Sequence, residues 1–226
     1  MNKELSAAQA FEGMRASLRN AEALIEEAKI LADANHPARA VALAVLAYEE
    51  LGKLPGYFAA DDCAKEGRMK IWWDTFRSHS RKIATHNQLA LALIVGQLDP
   101  ETVERVISGK AAKWLHELKM AALYTDFRKD SFVCPLDMPD AAEVAQSTIH
   151  MAECSLGLHR ATVDRLSAEH LQSHWDRRDE RRANVEKIVE QFDLELARCL
   201  GEERYSELVL EFQKSQERPG KGPGKA

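Results

Sequence analysis

Between Ile71 and His86 the chain reads IWWDTFRSHSRKIATH, which gathers two Trp, a Phe, two His, three cations and four hydroxyls into one helix-length stretch. At roughly 100° per residue, Trp72, Phe76, His79, Ile83 and His86 fall along one stripe. Lys82 lies within about 60° of both histidines. Imidazole exchanges protons near neutrality, and guanidinium or ammonium groups hold a phosphate and stabilise its developing charge. His79 and His86 with Arg77, Arg81 and Lys82 therefore supply the parts of a metal-free ribonuclease: a base for the ribose 2′-hydroxyl, an acid for the leaving oxygen and cations on the scissile phosphate. The competing reading is that the histidines are satisfied core residues.

A second constellation is Glu49-Glu50-Leu51-Gly52-Lys53. Glu49 projects on the side of Ala42 and Val45 and Glu50 on that of Leu43 and Leu46, so both carboxylates start from apolar faces and need partners if buried. Either they pin neighbouring helices together, or one of them orients a histidine of the next helix. Lys53, one turn from Glu49, suits both readings. His170 and His174 are spaced as a metal pair, but no third ligand accompanies them. There is no glycine-rich phosphate loop, no His-Glu-x-x-His and no Glu-x-x-His, so neither a cofactor nor a metal is expected.

The elements that must position these groups are helices. Leu5 to Ala34 carries apolar residues at helical spacing and stops before Pro37. Pro37 to about Lys53 has an apolar centre, AVALAVLAY, on all sides, as in a helix covered all round. Asp61 to Lys70 is a polar connection. A third helix is expected from Ile71 to Gln97 and a fourth from Pro100, capped by Asp99, to about Leu123. Tyr124 to Pro139 reads as a structured loop. Helix resumes from Asp140 to Leu166 and again from Ser167, with WDRRDERR (Trp175 to Arg182) as a solvated face or a bend. A stripe from Val185 through Ile188, Val189, Phe192 and Leu196 to Leu200 follows, and Leu208 to Phe212 forms a last short helix. No strand alternation stands out. The expected fold is all-α: a bundle core over 1–166, a helical extension over 167–214 that packs on the core or on a partner, and a disordered tail over 215–226.

Composition narrows the classes. A formal net charge of −5 over 226 residues argues against capture of nucleic acid by the whole surface, so any RNA contact is local. With no apolar run of 18 residues and no signal pattern in MNKELSAAQA, no membrane association is expected and the cytoplasm is the expected place. Cys63, Cys134, Cys154 and Cys199 are scattered and read as ordinary thiols.

Three separated blocks carry a resemblance: LAVLAYEELGK, then FRSHSRKI, then ALYTDFRKDSF followed by Cys134-Pro135. In order and spacing, over roughly Asn20 to Arg165, they resemble the AbiV family of phage abortive-infection proteins, within the HEPN superfamily of helical nucleases. The resemblance implies a HEPN-like bundle, commonly a homodimer, that acts on RNA in antiviral defence, with a phage-derived trigger or regulatory protein as a further partner. It points to Glu50 and Lys53 in the first block, Arg77, His79 and Lys82 in the second, and Tyr124 and Asp126 in the third, with Glu49 as a neighbour. The superfamily pattern of Arg, four to six residues, then His is met by Arg81 and His86. On an unbroken helix those two stand about 140° apart and would share a site only across a helix break or a dimer interface. His79 with Lys82 is the easier pair.

Overall fold

The computed structural model describes residues 3–79, 81–84, 86–87, 99–128 and 131–217. Helix α1, Ala7–Asp33, opens with a capping box in which the Ser6 hydroxyl accepts the Gln9 N–H and the Ser6 N–H donates to the Gln9 side chain. This satisfies two of the backbone groups that a helix start leaves bare. Its buried positions, Ala10, Met14, Ser17, Ala21, Ile25 and Ala28, recur every three or four residues and face α2, Pro37–Leu51. In α2, Ala40, Val41, Ala42, Ala44, Val45 and Ala47 are all buried. A helix apolar on every side needs cover on every side, and α2 is packed between α1, α7 (Lys110–Leu123) and α8 (Ala141–Val163). Its alanines let the neighbouring backbones come close.

After α2 the chain winds through two short helices, α3 (Leu54–Phe58) and α4 (Ala60–Lys65), so part of the expected polar connection is helical. Helix α5 covers Met69–Arg77. The long third helix expected from Ile71 is interrupted at Ser78, whose ψ of 117° is extended. There the Ser78 N–H closes α5 on Asp74 and Thr75, while its carbonyl accepts the Lys82 N–H and its hydroxyl accepts the Arg81 N–H. Ser78 thus ends one helix and caps the next; residues 79, 81–84, 86 and 87 are helical again. The remainder of the expected helix, residues 88–97, lies outside the described residues, as do Ser80 and Thr85.

Two fully or nearly buried side chains hold this segment in the core. Ile83 has no exposed surface, and Trp72, 5 % exposed, donates Nε1–H to the Gly56 carbonyl at 2.7 Å and stacks on Phe76. The segment also crosses the end of α2 at Gly52, where a Cβ would stand 2.5 Å from the Lys82 carbonyl oxygen. Only the missing side chain allows that approach.

The expected fourth helix is two. Helix α6, Pro100–Ile107, is capped by Asp99, and α7 begins after Gly109, whose φ of 73° is a left-handed turn that glycine adopts without strain. The expected loop holds a small antiparallel hairpin, β1 (Asp126–Arg128) with β2 (Ser131–Val133), and a 3₁₀ turn at Pro135–Asp137. The fold is all-α, and among the described residues that hairpin is its only sheet.

Helix α9, Ala168–Asp176, is capped by Ser167 and sends Leu171 and Trp175 into the main core against α1. The chain then bends at Arg177, and Arg178 and Arg181 bond Asp62 and Glu66 rather than facing water. Helices α10 (Arg178–Leu200) and α11 (Glu202–Glu217) extend from there, α11 longer than its expected span. Leu196 joins Val103 of α6 in a small second core with Phe192, Leu200 and Tyr205 packed around it, while Arg204 reaches Glu104. The side chains of Val185 and Ile188, and the tail from residue 218, lie outside the described residues. Among the described residues no helix is long and apolar enough to cross a membrane.

Candidate functional site

At the end of α2, Glu49 is 1 % exposed and three basic side chains converge on it. Its Oε1 accepts from Lys119 Nζ of α7 at 2.6 Å; its Oε2 is in a short hydrogen bond with His79 Nδ1 and 3.8 Å from Lys82 Nζ. Lys119 Nζ is also 3.2 Å from His79 Nδ1. Burial, with Lys53 and Lys119 nearby, holds the Lys82 ammonium below the ordinary lysine value against the opposing pull of Glu49 and Glu50. Two buried ammoniums thus face one buried carboxylate, so the floor of the site carries an excess of positive charge among the described residues.

His79 is the open member, with 49 % of its side chain exposed. A carboxylate at Nδ1 favours the tautomer with the proton on that nitrogen, which gives Nε2 the lone pair that a base needs. The Ser78 break, the Ile83 anchor and the Gly52 contact together set this ring over Glu49. Two exposed arginines flank it in the chain: Arg77, close to Asp74 and the Trp73 ring, and Arg81.

The residues singled out from sequence divide. His79, Lys82 and Glu49 come together. Glu50 does not hold His79; it pairs with Lys53 at 2.5 Å, and the Lys53 ammonium also sits over the Phe76 ring. Tyr124, 57 % exposed, stands at the end of α7 and does not fill the bundle; Asp126 accepts the Phe127 N–H and starts the hairpin. His86 faces inward and is 4 % exposed, while Arg81 is exposed. The Ser78 break precedes both, so it does not bring them together.

His86 belongs to a separate buried network. One ring nitrogen meets Ser155 Oγ at 2.8 Å, the other meets His159 Nε2 at 3.1 Å, and the Tyr48 ring packs edge-on at 4.5 Å. Burial, with His159 beside it, lowers the His86 pKa to about 3, and burial lowers that of His159 to about 4. An unfolded chain takes up these protons near 6.5. Between that value and the folded ones the unfolded state binds more protons, so stability rises with pH across this window and is lost as pH falls through it. The melting temperature should therefore drop between about pH 6.5 and 4, and more gently in His159→Phe than in wild type. Parallel curves would disprove this.

Two site residues were missed in the sequence. Lys119 sits on the apolar stripe Ala112, Leu115, Lys119, Ala122 of α7, all buried. A lysine at a core position is the signal that marks it. His116, one turn earlier, stacks toward His79 at 6.1 Å between ring centroids.

His174 packs on Phe58, and among the described residues no cluster of three or more His, Cys, Asp or Glu could hold a metal. The four cysteines are free thiols. A 620 Å³ groove between α6 and α7, lined by Glu104, Val106 and Trp114, shares none of the site residues.

Residues 9–156, well over half of the chain, match the family model described as AbiV, of HEPN type. No curated protein and no solved structure matches the chain. With the helical fold and this match, the chain belongs to the AbiV family of HEPN proteins, a family of abortive-infection defence.

Proposed function

We propose that the protein acts on RNA in phage defence as a metal-independent endoribonuclease, with His79 as the proton-transfer group. The observation that carries this reading is the pairing of a half-exposed imidazole with a buried carboxylate above two buried ammoniums. Glu49 orients His79 and favours the tautomer that acts as a base. Lys119 and Lys82 supply the positive potential that a scissile phosphate meets, and exposed Arg77 and Arg81 suit the neighbouring phosphates. Cleavage then needs no resident ion, because the 2′-hydroxyl of RNA is the nucleophile. An RNA substrate, a homodimer and a phage-derived trigger follow from the family as expectations on the same footing.

A second reading is favoured by the sealing of Glu49, Lys82 and Lys119: the cluster is a structural network in a module that binds RNA or a protein. The two readings separate on one assay. Purified protein with EDTA present is expected to cut single-stranded RNA, leaving 5′-hydroxyl ends. Binding without cleavage of any RNA would sink the nuclease and favour the module.

A further inference from the structure

We propose that His116 is the second proton-transfer residue of this site, the general acid that protonates the leaving 5′-oxygen. The inference rests on the reading of the chain as a ribonuclease and adds the group which that chemistry lacks. His79, with Nδ1 tied to Glu49, is set up as a base. In-line displacement at phosphorus places the attacking and leaving oxygens on opposite sides, so the acid has to be a different group standing across the phosphate from the base. His86 cannot serve, being buried with both ring nitrogens engaged.

His116 is a second imidazole beside His79. Its ring lies 6.1 Å from that of His79, centroid to centroid and within 26° of parallel, which puts the edges of both rings within reach of one phosphate. It comes from a different element, α7, one helical turn before Lys119, whose ammonium is 3.2 Å from His79 Nδ1. A histidine kept for structure has its nitrogens engaged, as His86 does. His116 instead has a buried Nδ1 with no hydrogen-bond partner among the described residues, and such orphaned buried groups are rare in folded proteins and call for a reason. With Nδ1 sealed inside and the residue only partly covered, Nε2 is the nitrogen left to give a proton to substrate.

The step balances. The proton of the 2′-hydroxyl passes to His79 Nε2 and O2′ bonds phosphorus. The P–O5′ bond breaks with its electron pair on O5′, and His116, entering as imidazolium, gives its Nε2 proton to that oxygen and is left as neutral imidazole. The products are a 2′,3′-cyclic phosphate and a 5′-hydroxyl; no water, oxidant or metal takes part.

An acid can be told from a base or a scaffold by making its proton unnecessary. Wild type, His79→Ala, His116→Ala and His116→Gln are assayed with EDTA on a dinucleotide, and on a uridine 3′-phosphodiester whose leaving group is 4-nitrophenolate, which departs without a proton. Thermal melts identify which His116 variant is folded, and that one is used. His116 variants should lose roughly a hundred- to ten-thousandfold on the dinucleotide and stay near wild type on the nitrophenyl ester. His79→Ala should lose on both. Equal losses on both substrates for the His116 variants, or no loss on either while His79→Ala is impaired, would overturn the role of His116 alone. No cleavage of either substrate by wild type would overturn the nuclease reading and this inference with it.

Discussion

Glu49→Ala should cost the protein about 3–5 kcal/mol, the penalty typical of removing one partner from a buried ion pair. Lys119, 2.6 Å from the carboxylate, and Lys82 would both remain in the interior with their counter-charge gone. That is a large part of the roughly 5–15 kcal/mol that holds a domain folded, so the variant should unfold at much lower urea. Glu49→Gln keeps the shape but turns a donor toward an ammonium, and should fall between. The same physics predicts that Glu49→Leu combined with Lys119→Met and Lys82→Met regains most of the loss, because a well-packed apolar cluster avoids desolvation altogether. Urea midpoints at constant slope measure all three. A change for Glu49→Ala within about 0.5 kcal/mol, as for an ordinary surface site, would contradict the burial of this cluster.

His79→Ala and His86→Ala should fail in opposite ways. His79 is half exposed, and its removal leaves the Glu49–Lys119 pair intact, so the melting temperature should change little. Cleavage, however, should fall by roughly a hundred- to ten-thousandfold, the usual contribution of a positioned general base. His86 is the reverse case. Its loss opens the core beside Tyr48, Ser155 and His159 and should cost about 1–3 kcal/mol, with the rate per folded molecule preserved. Rates at a temperature where each variant is folded, set beside thermal melts, test the crossing. A His86→Ala variant that is stable and inactive would return the chemistry to the Arg81–His86 pattern.

The framework of the fold is legible in the chain because it is written in local pattern. AVALAVLAY has no polar side, and α2 is accordingly covered on all sides. Pro37, Asp99 and Ser167 sit at helix starts. The breaks were harder to see. Ser78 lies in a run that a helix tolerates, and its capping role depends on Lys82 and Arg81 turning back onto it. Ser108-Gly109 is a turn signal, obscured by the apolar spacing that continues on both sides. The strands of the hairpin are three residues each, too short for alternation to register.

The site was half legible. Two carboxylates leaving apolar faces and a histidine beside a lysine could be seen in one dimension. Which carboxylate holds the histidine could not, since Glu49 and Glu50 differ by 100° around the helix and the choice is made by where α7 lies. Lys119 and His116 lie 37 or more positions beyond His79 and reach it only through the packing of α7 on α2. Interactions of that range leave no periodic trace.

The central claim is that the Glu49-bound imidazole cuts RNA. The measurement closest to it is the chemical identity of the 3′ ends formed from labelled single-stranded RNA in EDTA by wild type and by folded His79→Ala. The account predicts 2′,3′-cyclic phosphate ends from wild type and almost none from the variant over the same time. Equal amounts of the same ends from both proteins, or intact RNA with wild type, would contradict it.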